Sequence, residues 1–88
     1  LHPVYPNPTN PGAWIQFELP VSTPVRIAVF NANGRRMRTL AAGRRGPGMQ
    51  RVFWDGRDDH GKDAPSGVYW IRMGAGSTEF VRKLILVR

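Results

Sequence analysis

Hydrophobic positions in this chain recur every second residue, in short runs separated by turn-forming residues. Ala13, Ile15, Phe17 and Leu19 fall on one side of a stretch whose other side carries Trp14, Gln16 and Glu18. That alternation predicts a strand, which Pro20 ends. Val25, Ile27 and Val29 repeat the pattern up to Phe30, and Asn31-Ala32-Asn33-Gly34 supplies the left-handed backbone positions of a tight reversal. A hairpin therefore returns through Arg36 to Leu40. Gly43, Gly46, Pro47 and Gly48 break the chain before Met49 to Trp54, where Gln50, Val52 and Trp54 share a side. The polar stretch Asp55 to Gly67 has no hydrophobic period and is dense in Asp, Gly, Pro and Ser, which predicts a surface loop. Val68 to Met73 and Phe80 to Val87 are the most β-prone runs, joined by Gly74-Ala75-Gly76-Ser77 into a closing hairpin.

No window of about 11 residues carries a helical period. Six strands, or seven if Leu40 to Ala42 or the leading segment pairs as well, predict an all-β fold, an antiparallel immunoglobulin-like β-sandwich. The expected core is Trp54, Tyr69, Phe17, Ile27, Val29, Val52, Leu84 and Leu86. Residues 1–12, with Pro3, Pro6, Pro8 and Pro11, read as a stiff proline-rich linker or lead-in, and residues 13–88 as the sandwich. Eighty-eight residues allow one core. A unit of this size buries only about 60 to 65% of its unfolded surface, which leaves little material for an elaborate active-site cleft.

The sequence has no cysteine, and its histidines, His2 and His60, lie far apart. A disulfide framework and a thiolate metal site are excluded. No apolar run approaches the roughly 20 residues of a membrane-spanning helix. No segment has the charged-then-apolar layout of a signal peptide, so an export signal is expected outside these residues. The sequence opens on Leu1 and its first methionine is Met37, which predicts a piece of a longer protein.

Lysine and arginine outnumber aspartate and glutamate 13 to 6, a formal charge of +7, and Lys62 and Lys83 are the only lysines. Such an excess calls for an anionic partner or a solvated basic face. Arg35, Arg36, Arg38, Arg44, Arg45 and Arg51 form the densest run, with no acidic residue between them. Alternation places Arg36 and Arg38 together on an outer strand face, and no aromatic ladder of a single-strand nucleic-acid platform is interleaved. A solvated face or contact with an anionic surface is favoured over specific nucleic-acid readout.

Asp55, Asp58, Asp59 and Asp63 could supply calcium oxygens. Counting from Asp55, however, Arg57, His60 and Ser66 stand where an EF-hand loop wants an oxygen ligand, glycine and glutamate. Turn chemistry is the preferred reading, with Asp55 accepting backbone N–H bonds across the Asp-Gly turn and Asp58 and Asp59 splayed apart. Ser22, Ser66 and Ser77 have no evident base, His60 sits in the polar loop, and no enzyme is expected. No cofactor is expected either. The run Glu79 to Arg88 is either an ordinary last strand or a terminal signal offered by strand addition at an open edge, a reading that requires that edge to be exposed.

The ordered segments YPNPTNP (Tyr5 to Pro11), IQFELP (Ile15 to Pro20), VRIAVFNANGRRMRTL (Val25 to Leu40), WDGRDDHGK (Trp54 to Lys62), SGVYWIRM (Ser66 to Met73) and the final KLILVR resemble the immunoglobulin-like module of the flagellar hook-capping protein FlgD. They resemble still more the C-terminal sorting domains of type IX secretion system cargo. The resemblance spans nearly the whole chain. It implies a noncatalytic signal that directs an upstream passenger across the outer membrane of a Gram-negative bacterium, through the periplasm to the cell surface or beyond. The implied partners are the translocation and sortase machinery, with cleavage near or upstream of Leu1 and an anionic surface such as lipopolysaccharide as the anchor. By position, Gly67, Tyr69, Lys83, Leu84, Ile85, Leu86, Val87 and Arg88 match the family's signal region. The arginine-rich face is not carried by the resemblance. Two other readings stand beside it: a structural assembly module, as in hook capping, and a polyanion- or carbohydrate-binding accessory domain using Trp14 and Trp70.

Overall fold

Alternating burial drives the chain into six strands: β1 (Ala13–Leu19), β2 (Thr23–Asn31), β3 (Arg36–Arg45), β4 (Gly48–Trp54), β5 (Gly67–Ala75) and β6 (Thr78–Leu86). The computed structural model describes all 88 residues. β1 and β4 form one sheet, and β3-β2-β5-β6 the other, with every neighbour antiparallel. The inner faces meet as the period of two requires: Ile15, Phe17, Val52 and Trp54 from one layer, and Ile27, Val29, Tyr69, Ile71, Leu84 and Leu86 from the other, lie in a single buried cluster. All eight expected core residues belong to it. The polar ends of its aromatics are satisfied. Trp54 Nε1 donates to the Arg57 carbonyl at 2.9 Å, and the Tyr69 hydroxyl donates to the Pro65 carbonyl at 2.6 Å.

Three local expectations are corrected. β3 does not stop near Leu40 but runs on through Leu40 to Ala42 and past Gly43, whose φ of +136° only glycine holds at little cost, so that β2 is paired along its whole length. The β2–β3 turn does not use left-handed asparagines; Gly34 alone takes positive φ there, and the Asn31 side chain accepts the backbone N–H groups of Asn33 and Arg35. Arg36 and Arg38 do not share a face. The register shifts between Val29 and Phe30, so that Arg36 lies opposite outward-facing Phe30 while Arg38 lies opposite inward-facing Val29.

The leading segment is not a free spacer. Val4 and Thr9 are buried, and the segment bridges first to β1 of one sheet and then to β6 of the other. The backbone of His2 and Tyr5 bonds to Gln16 and Trp14 of β1, and Thr9 then crosses to β6, donating to the Ile85 carbonyl and accepting from the Val87 N–H, each at 2.8 Å. Asn7 acts there as a surrogate peptide group. Its amide donates to the Lys83 carbonyl at 2.8 Å and accepts from the Ile85 N–H at 3.0 Å. Proline lacks a donor, so the segment pairs through the residues between its prolines, while Pro3, Pro6, Pro8 and Pro11 face solvent.

Candidate functional site

β6 and the residues that follow it hold most of the expected signal positions, and the strand divides them by face. Leu84, Leu86 and, on β5, Tyr69 point into the core and are closed to a partner. Lys83 and Val87 are exposed and Ile85 is half-buried, on the outer face of the four-stranded sheet, where Lys83 lies opposite Trp70 and Ile85 opposite Val68. Gly67 begins β5 in the open. The edge of this strand, expected to be free for strand addition, is occupied from Lys83 to Val87 by Asn7 and Thr9. An incoming strand would have to displace them.

Arg88 turns back into the molecule. Its Nε donates to the Ala64 carbonyl at 2.6 Å, its terminal nitrogen to the Gly56 carbonyl, and its backbone N–H to Ser66 Oγ at 2.9 Å. The polar loop between β4 and β5 is thereby bolted to the last residue of the sequence. Gly56 is irreplaceable at this crossing, because its φ is +81° and an added Cβ would come within 2.9 Å of Pro11 Cβ. Burial raises the Tyr69 phenol above its ordinary pKa, an effect partly offset by the positive charge of Arg88.

Within that loop the carboxylates serve the backbone, as expected of turn chemistry. Asp55 accepts from the Arg57 N–H at 3.0 Å and pairs with Arg38 at 2.9 Å. Asp58 accepts from the N–H groups of Lys62 and His60, and the Lys62 bond above all lowers its pKa. Asp59 points the other way, accepting from the Thr39 N–H and facing Arg36 at 3.9 Å. Asp63 lies against Arg57 and Arg88.

The six arginines expected as one patch are dispersed by the fold. Arg35 and Arg36 flank the loop, Arg38 is tied to Asp55, Arg44 reaches the Ser22 carbonyl and Arg45 reaches Gln50. Arg51 on β4 stacks 4.3 Å over Trp14 on β1, both in the two-stranded sheet. Trp14 is further covered by Phe53 and half-buried, whereas Trp70 stays open. Ser66 is committed to Arg88 and Ser22 to Arg44, Ser77 sits in the β5–β6 turn, and none of the three hydrogen-bonds to His60.

The same fold occurs in solved structures. FlgD from P. aeruginosa superposes with a TM-score of 0.67 at 23% identity, covering 88% of this chain and 61% of that one. PorU from Porphyromonas gingivalis, in its dimeric latent form, gives 0.77 at 18% identity over 96% of this chain and 9% of its own. PorZ of the same organism, an essential surface component of the type IX secretion system, gives 0.67 at 21% identity over 97% and 11%. The chain thus spans less than two thirds of each of these proteins, and the likeness is one of fold. None of the curated proteins matches the sequence. The sequence profile of the FlgD Ig-like domain, however, matches residues 7–79, and the chain belongs to the FlgD Ig-like domain family.

Proposed function

We propose that this domain is a noncatalytic sorting signal that directs an upstream passenger across the outer membrane by the type IX secretion route. The observation that carries the reading is the division of labour on the last strand. Leu84 and Leu86 anchor it in the core while Lys83, Ile85 and Val87 turn outward beside Val68 and Trp70, a rigid array of side chains for a receptor to read. Recognition by side chains replaces recognition by strand addition, since the strand edge is already taken. The fold shared with PorZ supports the same route. Translocation and sortase machinery are the partners on this reading, with passage through the periplasm and delivery to the cell surface, where an anionic surface retains the passenger.

The test uses the full-length protein with outward-facing variants, Lys83→Glu and Val87→Glu, whose melting temperature is checked first. Loss of surface delivery with an intact fold supports the proposal. Normal delivery overturns it. The fold match to FlgD favours a second reading, an assembly module contacting other subunits. An export signal on the complete reading frame argues for sorting, and its absence for assembly.

A further inference from the structure

Away from Lys83, Ile85 and Val87, the outer face of the four-stranded sheet opens into a groove of about 510 Å³, within the range of roughly 300 to 1,000 Å³ typical of small-ligand sites. The sequence makes it a depression. Ala28 on β2 and Gly74 on β5 leave the pleat almost bare, and nothing lies within 4 Å of where a Gly74 Cβ would stand. Register then raises a cation beside each small residue: Arg26 lies opposite Gly74, Arg72 opposite Ala28, and Arg36 opposite Phe30 at the end of the groove.

Two of these three groups have no acidic partner within the site. Arg26 has no acidic partner, and Arg36 reaches Asp59 only at 3.9 Å, across 50% and 40% exposed side chains. Arg72 is held in place by stacking 4.7 Å over the Phe30 ring and by Glu79 at 3.9 Å. Three guanidinium groups face one carboxylate, which selects an anion, and the planar fork of arginine matches carboxylate or phosphate. The position of Glu79 narrows the chemistry further. A bare anion has no use for a carboxylate in its site, whereas a hydroxylated ring donates to one. The bare pleat and the Phe30 edge offer such a ring an apolar floor and wall.

We propose that this groove binds an anionic sugar unit of an acidic glycan, a hydroxylated ring carrying a carboxylate or phosphate. The anion meets Arg26 and Arg36, the ring lies over Ala28 and Gly74, and its hydroxyls meet Glu79 and Arg72. This site uses other residues than the sorting face and does not rest on that reading.

Calorimetric titration of the 88-residue chain at low salt tests it. The titrants are trigalacturonate, glucose 6-phosphate, neutral maltotriose and inorganic phosphate. Saturable binding of at least one anionic sugar is expected, about tenfold or more tighter than both maltotriose and inorganic phosphate. Arg26→Ala and Arg72→Ala, each losing charge-assisted bonds to the ligand, are expected to weaken it about tenfold or more. Glu79→Gln is expected to weaken the sugar while leaving inorganic phosphate as tightly bound as before or tighter. The double variant Arg44→Ala/Arg45→Ala, which removes the same charge elsewhere, is expected to change affinity less than about threefold. The proposal is overturned if neither anionic sugar binds saturably, if inorganic phosphate binds as tightly, or if Arg26→Ala binds as well as the parent at an unchanged melting temperature.

Discussion

Replacing Arg88 with alanine is expected to weaken the whole sandwich, although the residue is the last in the sequence. Its guanidinium bonds to the Ala64 and Gly56 carbonyls and its side chain is only 26% exposed. Each charged hydrogen bond contributes about 1.5 to 3 kcal/mol. The contact to Asp63 at 3.7 Å adds little, because that carboxylate side chain is 65% exposed and screened. Allowing for water that reaches the freed carbonyls, the loss is about 2 to 4 kcal/mol. In a domain of this size each kcal/mol moves the melting temperature by about 4 to 8 °C, so Arg88→Ala should melt on the order of 10 to 30 °C below the parent. Arg88→Lys should fall between the two, since an ammonium cannot span both carbonyls as the guanidinium fork does. Melting followed by circular dichroism decides the matter. A change of less than about 2 °C in Arg88→Ala would refute the view that this residue bolts the loop to the sandwich. The result also shows why the sorting experiment uses point variants: a deletion of residues 83–88 would remove Leu84, Leu86 and Arg88 together, and lost delivery would then report an unfolded domain.

Trp54→Ala should cost about 3 to 5 kcal/mol in urea denaturation, a large share of the stability of a small domain, because the ring is wholly buried against Tyr69. Asn7→Ala should lower stability by about 1 to 2 kcal/mol and speed hydrogen exchange at the Ile85 amide, whose partner it removes; unchanged exchange would contradict the capping role. The raised Tyr69 pKa makes its neutral form the one that favours folding. That stability is intact below the ordinary value of 10.0 and is lost as pH rises through the raised one, so Tyr69→Phe should flatten the alkaline limb of a stability–pH profile. Calcium should leave the melting temperature unchanged, since the loop carboxylates are engaged by backbone N–H groups and arginines; a rise of several degrees would reverse that assignment.

The strands and core were legible because each strand buries one face, and a period of two needs no knowledge of the partner strand. The same alternation also foretells that Leu84 and Leu86 cannot serve as receptor contacts. Arg38 was not legible, since one register shift turned it from the outer face toward Asp55. The leading segment escaped for another reason: it joins the fold through backbone groups and the Asn7 amide, which leave no hydrophobic pattern. Buried Val4 and Thr9, the small or apolar residues spaced among the prolines, were the only trace. The arginine run from 35 to 51 was read by density along the chain, whereas the groove draws Arg26, Arg36 and Arg72 from three strands that only pairing brings together.

The crossing of the leading segment onto β6 has a mechanical consequence. Thr9 and Leu86 are bridged in parallel, so opposite pulls on the two ends of the molecule slide these segments along each other. Their bonds are then strained together, in shear, instead of opening one after another like a zipper. Tension between the two ends would therefore meet the domain in its shear geometry, with the Thr9 pairing to the last strand loaded as one unit.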